Sequence, residues 1–424
     1  MCSCIILEKE QVKRMVRYEV KKALGTVGGR LAALLMLLLV LLSSYMAVSD
    51  VEWINEAGEP ETGFAAVSKL RRAQKEWAGT LDEARLEAVI RENQRLCATP
   101  EAQSKDYNQN DIAYGWKQGI RPVLNMMNYA YASDFQEYDW YRNEQVTPDQ
   151  AGEFYTNRTR LMKQWLEAEN SSAAHLLTEK EQAYLVEQYE TLQTPFLYDY
   201  SEGWNQLLNN SASVIMIAAL ILGYLCAGIF SNEFRWKSDA VFFSSALGRD
   251  RAVAAKIKAG FLMVSCIYWL AVTLYTLITL GFLGIDGWNC PLQTKMWKSF
   301  YHLKLWQAWC LTCVGGYIGN LFSAFLTMWV SAKTRSSMFA ATVPFLLVFL
   351  PNFLDNLGND RISKLLGLCP DQLLQIDQAL RYFNVYEIGG RVFSALSILL
   401  PVFSLLTLLL APLMYREFRR KQIS

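Results

Sequence analysis

Six stretches of the chain run for at least 19 residues without Asp, Glu, Lys or Arg: 31–49, 203–232, 259–285, 305–332, 336–354 and 392–415. All are rich in Leu, Ile, Val and Phe. About 20 apolar residues at a rise of ~1.5 Å cross a ~30 Å hydrocarbon core, so each run predicts a membrane-spanning helix. The second, third and fourth exceed that length, and part of each is expected in the interface or in flanking structure. The first run ends in a small-x-small site, Ala47-Val48-Ser49, as a cleaved signal would. Its long charged leader and long apolar core favour a retained helix. The pattern therefore predicts an all-α polytopic membrane protein with six transmembrane helices: a leader over 1–30, a first span over 31–49, an insertion over 50–202, and a five-helix region over 203–424.

The polar segments between the runs have patterns of their own. In the leader, "QVKRMVRYEVKKALG" sets Val16, Tyr18, Val20 and Leu24 among Lys13, Arg14, Arg17, Lys21 and Lys22. That composition suits a helix lying on an anionic membrane surface; a plain basic flank with no helix is the alternative. The insertion is 153 residues long, enough for an independently folding domain. Apolar residues recur there at three- and four-residue spacing, with Leu161, Trp165 and Leu166, then Tyr184, Leu185 and Tyr189, placed to line one face. A mostly helical extracytoplasmic domain is expected, its many aromatics serving either a core or a binding surface. Within the fourth run, Gly315, Gly319, Ser323, Thr327 and Ser331 recur every four residues. Small side chains in such a row let helices approach closely where lipid supplies no hydrophobic drive, so the row predicts a helix–helix seam.

Charge adds the orientation. The formal net charge is only +1, but its distribution is uneven. Lys and Arg crowd the leader, the connection 233–258, the short turn 333–335 and the tail 416–424, and thin out in 286–304 and 355–391. By the positive-inside rule both termini are expected in the cytoplasm and the insertion outside. Of the nine cysteines, Cys226, Cys266, Cys310 and Cys313 fall in apolar runs, where Cys acts as a small hydrophobe. Cys97, Cys290 and Cys369 are expected outside, with Cys290–Cys369 the nearest candidate for a disulfide.

Candidate chemistry is sparse. There is no G-x-x-x-x-G-K-[ST] loop for nucleotide phosphates and no H-E-x-x-H or His/Cys set with metal-ligand spacing; the only histidines are His175 and His302. The basic residues flank membrane runs, so nucleic-acid binding has no support. No catalytic, metal or cofactor residue is expected, and an enzyme is the weakest class. The apolar runs also lack the ionisable groups on which ion-coupled carriers depend.

The one segment that stands out is "SNEFRWKSDAVFFSSALGRDRAVAAKIKAG", residues 231–260. Ser238 suits an N-cap and Gly248 a C′ position, so a helix over 238–248 is expected, with Phe243, Ala246 and Leu247 on one side and Phe242 on the adjacent face. Two readings stand: a plug of exposed aromatics for a partner's groove, or an interfacial helix dipping its phenylalanines into lipid.

This segment resembles the first cytoplasmic loop of ABC type-2 transporter permeases. The pattern there is a Glu at the end of the second span, a short helix ending in a small-residue turn, then an Arg and a Lys, here Glu233, Gly248, Arg249 and Lys256. The leader "RMVRYEVKKALG" is similar to that family's N-terminal connecting helix, and "MYREFRRKQIS" to its basic tail; the insertion 50–202 carries none of the resemblance. What the resemblance implies is a permease subunit of an ATP-driven exporter in a bacterial cell membrane. It implies pairing with a second permease half, homo- or heterodimeric, and docking of a separate ATPase subunit, which would hold ATP and magnesium, on the 238–248 helix. Coupling residues would then be Glu233, Ser238, Phe242, Phe243, Leu247, Gly248, Arg249 and Lys256. The rival expectations are a membrane-anchored receptor or assembly protein whose ectodomain binds a ligand without transport, and an ion-coupled carrier.

Overall fold

A computed structural model describes residues 2–168, 176–244, 250–355 and 360–420. The chain is mostly helical, and six of its helices are long and apolar enough to cross a membrane. These spans one to six are Val27–Ser49, Glu202–Arg235, Arg251–Leu283, Leu305–Thr334, Ser337–Asp355 and Ala395–Arg419. Spans two and four form the centre, since 61% and 56% of their apolar windows are buried, against 22–33% for the other four. Span one shows the usual division of labour. Ala32, Met36, Val40 and Ala47 face the bundle, while Leu34, Leu38, Leu41 and Leu42 point outward. Such a leucine surface is stable only in an apolar surround.

The central helices overrun the apolar runs that predict them. Span two has 34 residues, about 50 Å of helix against a ~30 Å hydrocarbon core. Its overhangs carry Glu202 at one end and Glu233 at the other. Span six starts and ends later than expected. Val392 and Phe393 belong to a strand, Arg391–Ser394, paired antiparallel with Val385–Ile388. The turn between them is Gly389-Gly390, both at positive φ, the two-residue hairpin geometry that glycine permits. Ser394 then caps span six, accepting from the Ser397 amide. Two more two-stranded ribbons lie in the insertion region: Glu52–Ile54 with Pro60–Thr62, and Gly79–Thr80 with Leu197–Tyr198. The all-α expectation is corrected to that extent.

The insertion does not keep its core to itself. Leu161, Trp165, Leu166, Leu185 and Tyr189 do share one cluster, but Phe300 and Val385 from the later connections complete it. A second cluster takes in Trp297. Arg158, buried, donates to the carbonyls of Trp297 and Ser299 at 3.1 and 2.8 Å. Buried Glu181 accepts from Lys364 Nζ at 2.6 Å and from the Glu387 amide at 2.9 Å. The insertion and the connections after spans three and five thus form one layer over the bundle.

Two tight contacts join that layer to the spans. A Cβ on Gly203 would stand 2.3 Å from the Gly284 carbonyl oxygen, and the neighbouring Trp204 indole donates to the Ile285 carbonyl at 3.0 Å. Because the obstacle is backbone, Gly203→Ala is expected to cost about 1–3 kcal/mol. A fall in the midpoint of thermal unfolding of the detergent-solubilised chain checks this; an unchanged midpoint refutes it.

The small-residue row on span four divides between two neighbours. Gly315 and Gly319 leave room for Ile376 and for Leu373 and Leu374, in the connection before span six, with Leu400 of span six also against Gly315, so this half seats chiefly a folded-in segment of that connection. At the other end Ser331 donates to the Ala227 carbonyl at 2.6 Å and accepts from the Ser231 amide at 3.1 Å, the expected helix–helix seam with span two. Ser323 and Thr327 are buried between them. The Cys290–Cys369 disulfide is not formed: among the described residues the cysteines are free. Cys290 is 1% exposed inside the core that joins the bundle to its cover, whereas Cys369 is half-buried beside the Pro370 turn.

Candidate functional site

The leader helix (Cys2–Leu24), the connection between spans two and three, and the last turn of span six meet at the end of the bundle away from the insertion. Their meeting point is Lys256, two turns into span three and 0% exposed. Its three ammonium donors are all used, by Glu233 at 2.7 Å, Glu19 at 2.9 Å and the Ile229 carbonyl at 2.9 Å. Glu233 in turn accepts from Lys22 at 2.5 Å and from the Ser238 hydroxyl at 2.8 Å. Two lysines and two glutamates balance, which lets so much charge sit away from water. The four come from the leader helix, span two and span three.

Local sequence explains how Glu233 arrives there. Span two ends in a Schellman motif: the Lys237 amide bonds to the Phe234 carbonyl and the Ser238 amide to the Glu233 carbonyl. Lys237 takes the left-handed position, φ 54, that Gly usually fills. The chain then reverses into the short helix Asp239–Ser244. Ser238 sits at the start of that helix, its carbonyl accepting from the Phe242 amide at 2.9 Å. Its hydroxyl, expected to cap the helix, instead donates to Glu233.

The phenylalanines of the short helix are not a displayed plug. Phe243 is 4% exposed and Phe242 is packed against the bundle core. Phe418, from the last turn of span six, lies 5.3 Å from the Phe243 ring, 5.8 Å from Phe242, 5.9 Å from Phe234 and 4.7 Å from Phe230. Lys256 also lies over Phe242, 5.5 Å from the ring centroid. Among the described residues of this helix Ala240, Val241 and Ser244 face outward, Val241 being 74% exposed.

Of the residues expected to act in coupling, Glu233, Ser238, Phe242, Phe243 and Lys256 thus come together in one site, and Leu247, Gly248 and Arg249 lie outside the described residues. The small-residue row on span four is a separate feature, touching this region only near Ser331. Glu19, Lys22 and Phe418 escaped the sequence reading. Glu19 left a signal, a carboxylate set between Arg17 and Lys21 in a basic leader; Phe418 left none.

Chemically this is a joint. The charges of Lys256, Glu233, Glu19 and Lys22 are all engaged with one another. Any displacement of the short helix must carry Glu233, and through Lys256 the leader helix and span three. No family model, curated protein or solved structure matches the chain.

Proposed function

We propose that this chain is the membrane subunit of an ATP-driven transporter of the ABC type, acting as an exporter, with the short helix Asp239–Ser244 as the element on which a separate ATPase subunit docks. The observation that supports this reading is the Lys256–Glu233–Glu19–Lys22 network. A six-residue helix on a flexible loop would absorb a push; one clamped at its start to two spans passes the push on. The Lys/Arg-rich connections put this end in the cytoplasm, where ATP is available. Two such subunits pair, and closure of two ATPases drives spans two and three. ATP and magnesium belong to the partner chain.

Docking then uses the outward face around Val241, not Phe242 and Phe243. Val241→Asp is expected to release the ATPase subunit while leaving thermal stability unchanged within about 0.5 kcal/mol, as for other exposed positions. Native mass spectrometry of the complex purified from its own membranes, with ATP hydrolysis measured in parallel, is the check. A native complex without an ATP-hydrolysing subunit, or one that keeps it fully in the Val241→Asp variant, defeats the reading and favours a receptor without transport.

A further inference from the structure

Where the insertion meets the C-terminal end of span one and the N-terminal end of span two there is a cavity of about 710 Å³. Charges of both signs line it, with Asp50, Glu52 and Glu202 on the acidic side and Arg121 and Lys295 on the basic side. Among the described residues neither Glu202, at the start of span two, nor Lys295, in the connection after span three, belongs to an ion pair within 4.0 Å. Burial pulls the Lys295 ammonium below the usual lysine range, an effect that the Glu202 charge only opposes. Lys256 and Glu181, by contrast, are engaged by opposite charges.

Unsatisfied polar groups gather at the same place. Gln293 is 0% exposed; its amide nitrogen donates to the Ser299 and Tyr301 carbonyls, but its Oε1 has no partner. Asn205 Oδ1 and Arg121 Nε are likewise buried without a partner, and all three residues line this cavity. Buried polar atoms are rarely left so, and each costs about 1–3 kcal/mol. Trp140 and Trp297 add aromatic faces to the walls, surfaces that hold an ammonium by cation–π attraction.

We propose that this cavity binds a small zwitterion carrying a primary ammonium and an acidic oxyanion on one ligand. Its ammonium meets Glu202 and the free acceptors of Asn205 and Gln293; its oxyanion meets Lys295 and Arg121. A simple cation would bring no counter-charge to Lys295 and Arg121, and a simple anion none to Glu202. A free amino acid or short peptide has this chemistry, and so has an ethanolamine phosphate lipid head, since the cavity lies level with the ends of two spans. The inference does not rest on the transport reading, because binding needs neither ATP nor a partner.

The test uses the full chain in maltoside detergent, read by tryptophan fluorescence and thermal shift. One arm titrates alanyl-alanine, the other micelles doped with phosphatidylethanolamine. Saturable binding in either arm is expected and identifies the source. N-acetyl-alanyl-alanine and alanyl-alanine amide in the first arm, and phosphatidylglycerol in the second, should each bind about tenfold or more weakly than the zwitterion, the loss of one charge-assisted contact. Glu202→Gln and Lys295→Met should weaken binding similarly. Trp140→Ala, at a position 73% exposed, should lower affinity without shifting the unfolding midpoint of the free protein. Absence of binding in both arms, equal binding of the blocked ligands, or unaltered affinity in both charge variants overturns the proposal.

Discussion

Lys256→Met is expected to destabilise the protein by about 3–5 kcal/mol, the usual consequence of removing one partner from a buried ion pair. The substitution is close in volume and apolar, so lost packing contributes little. What remains is Glu233, with a side chain 6% exposed, still bonded to Lys22 and Ser238 but deprived of its most deeply buried counter-charge. Glu19 loses its contact too, and with it the leader helix loses its ion pair to span three. Faster tryptic cleavage in the leader and a lower unfolding midpoint should therefore appear together. The double variant Lys256→Met, Glu233→Leu should recover much of the loss, because Lys22, already 17% exposed, can turn to water once its partner is gone. If the single variant is as stable as the parent, or the double variant is worse than the single, the network is not what holds this end together. In the transport reading the recovered double variant remains inactive, since an apolar pair restores stability but not the link between the short helix and the leader.

The second large effect is expected at Arg158, and its physics differs. This guanidinium is 3% exposed and has no carboxylate; it donates to two backbone carbonyls and lies over the Tyr189 ring at 3.8 Å. Arg158→Met strands the Trp297 carbonyl in the core at about 1–3 kcal/mol, leaves the Ser299 carbonyl to Gln293 alone, and removes a buried cation–π contact of about 2 kcal/mol. Allowing for relaxation, a loss of about 2–4 kcal/mol is expected. Arg158→Lys should fall between, since an ammonium lacks the planar fork that reaches both acceptors. Hydrogen exchange provides the specific readout: amides near 296–300 should lose protection while those of spans two and four keep theirs. Equal loss of protection throughout the bundle would show that Arg158 does not act as a local staple between the insertion and the connection after span three.

Both residues show how far one-dimensional reading reaches. The six spans were legible because lipid tolerates so few charges that a long uncharged run has one stable outcome. The helical faces of the insertion were legible because their apolar spacing is local, as with Leu161, Trp165 and Leu185. The same charge criterion misplaced Lys256, assigning it to a polar connection, because a run of uncharged residues says where a helix must be apolar and not where it stops. It misplaced Val392 and Phe393 for the complementary reason: an uncharged pair satisfies a ribbon as well as a span, and the Gly389-Gly390 turn decides between them. The phenylalanines of the short helix were visible as a feature, but their direction was not, since the ring that covers them, Phe418, lies far along the chain.

By itself, then, the sequence determined the number of spans, the helical character of the insertion and the uneven charge of the two ends. All of these depend on composition within one segment. Only the tertiary structure decided that Lys256 is a buried hub, that Phe242 and Phe243 face inward, that half of the span-four row seats a loop, and that Glu202 and Lys295 share a cavity. Each of those is set by residues distant in sequence competing for the same space and the same hydrogen bonds, and no periodicity within a segment records the outcome.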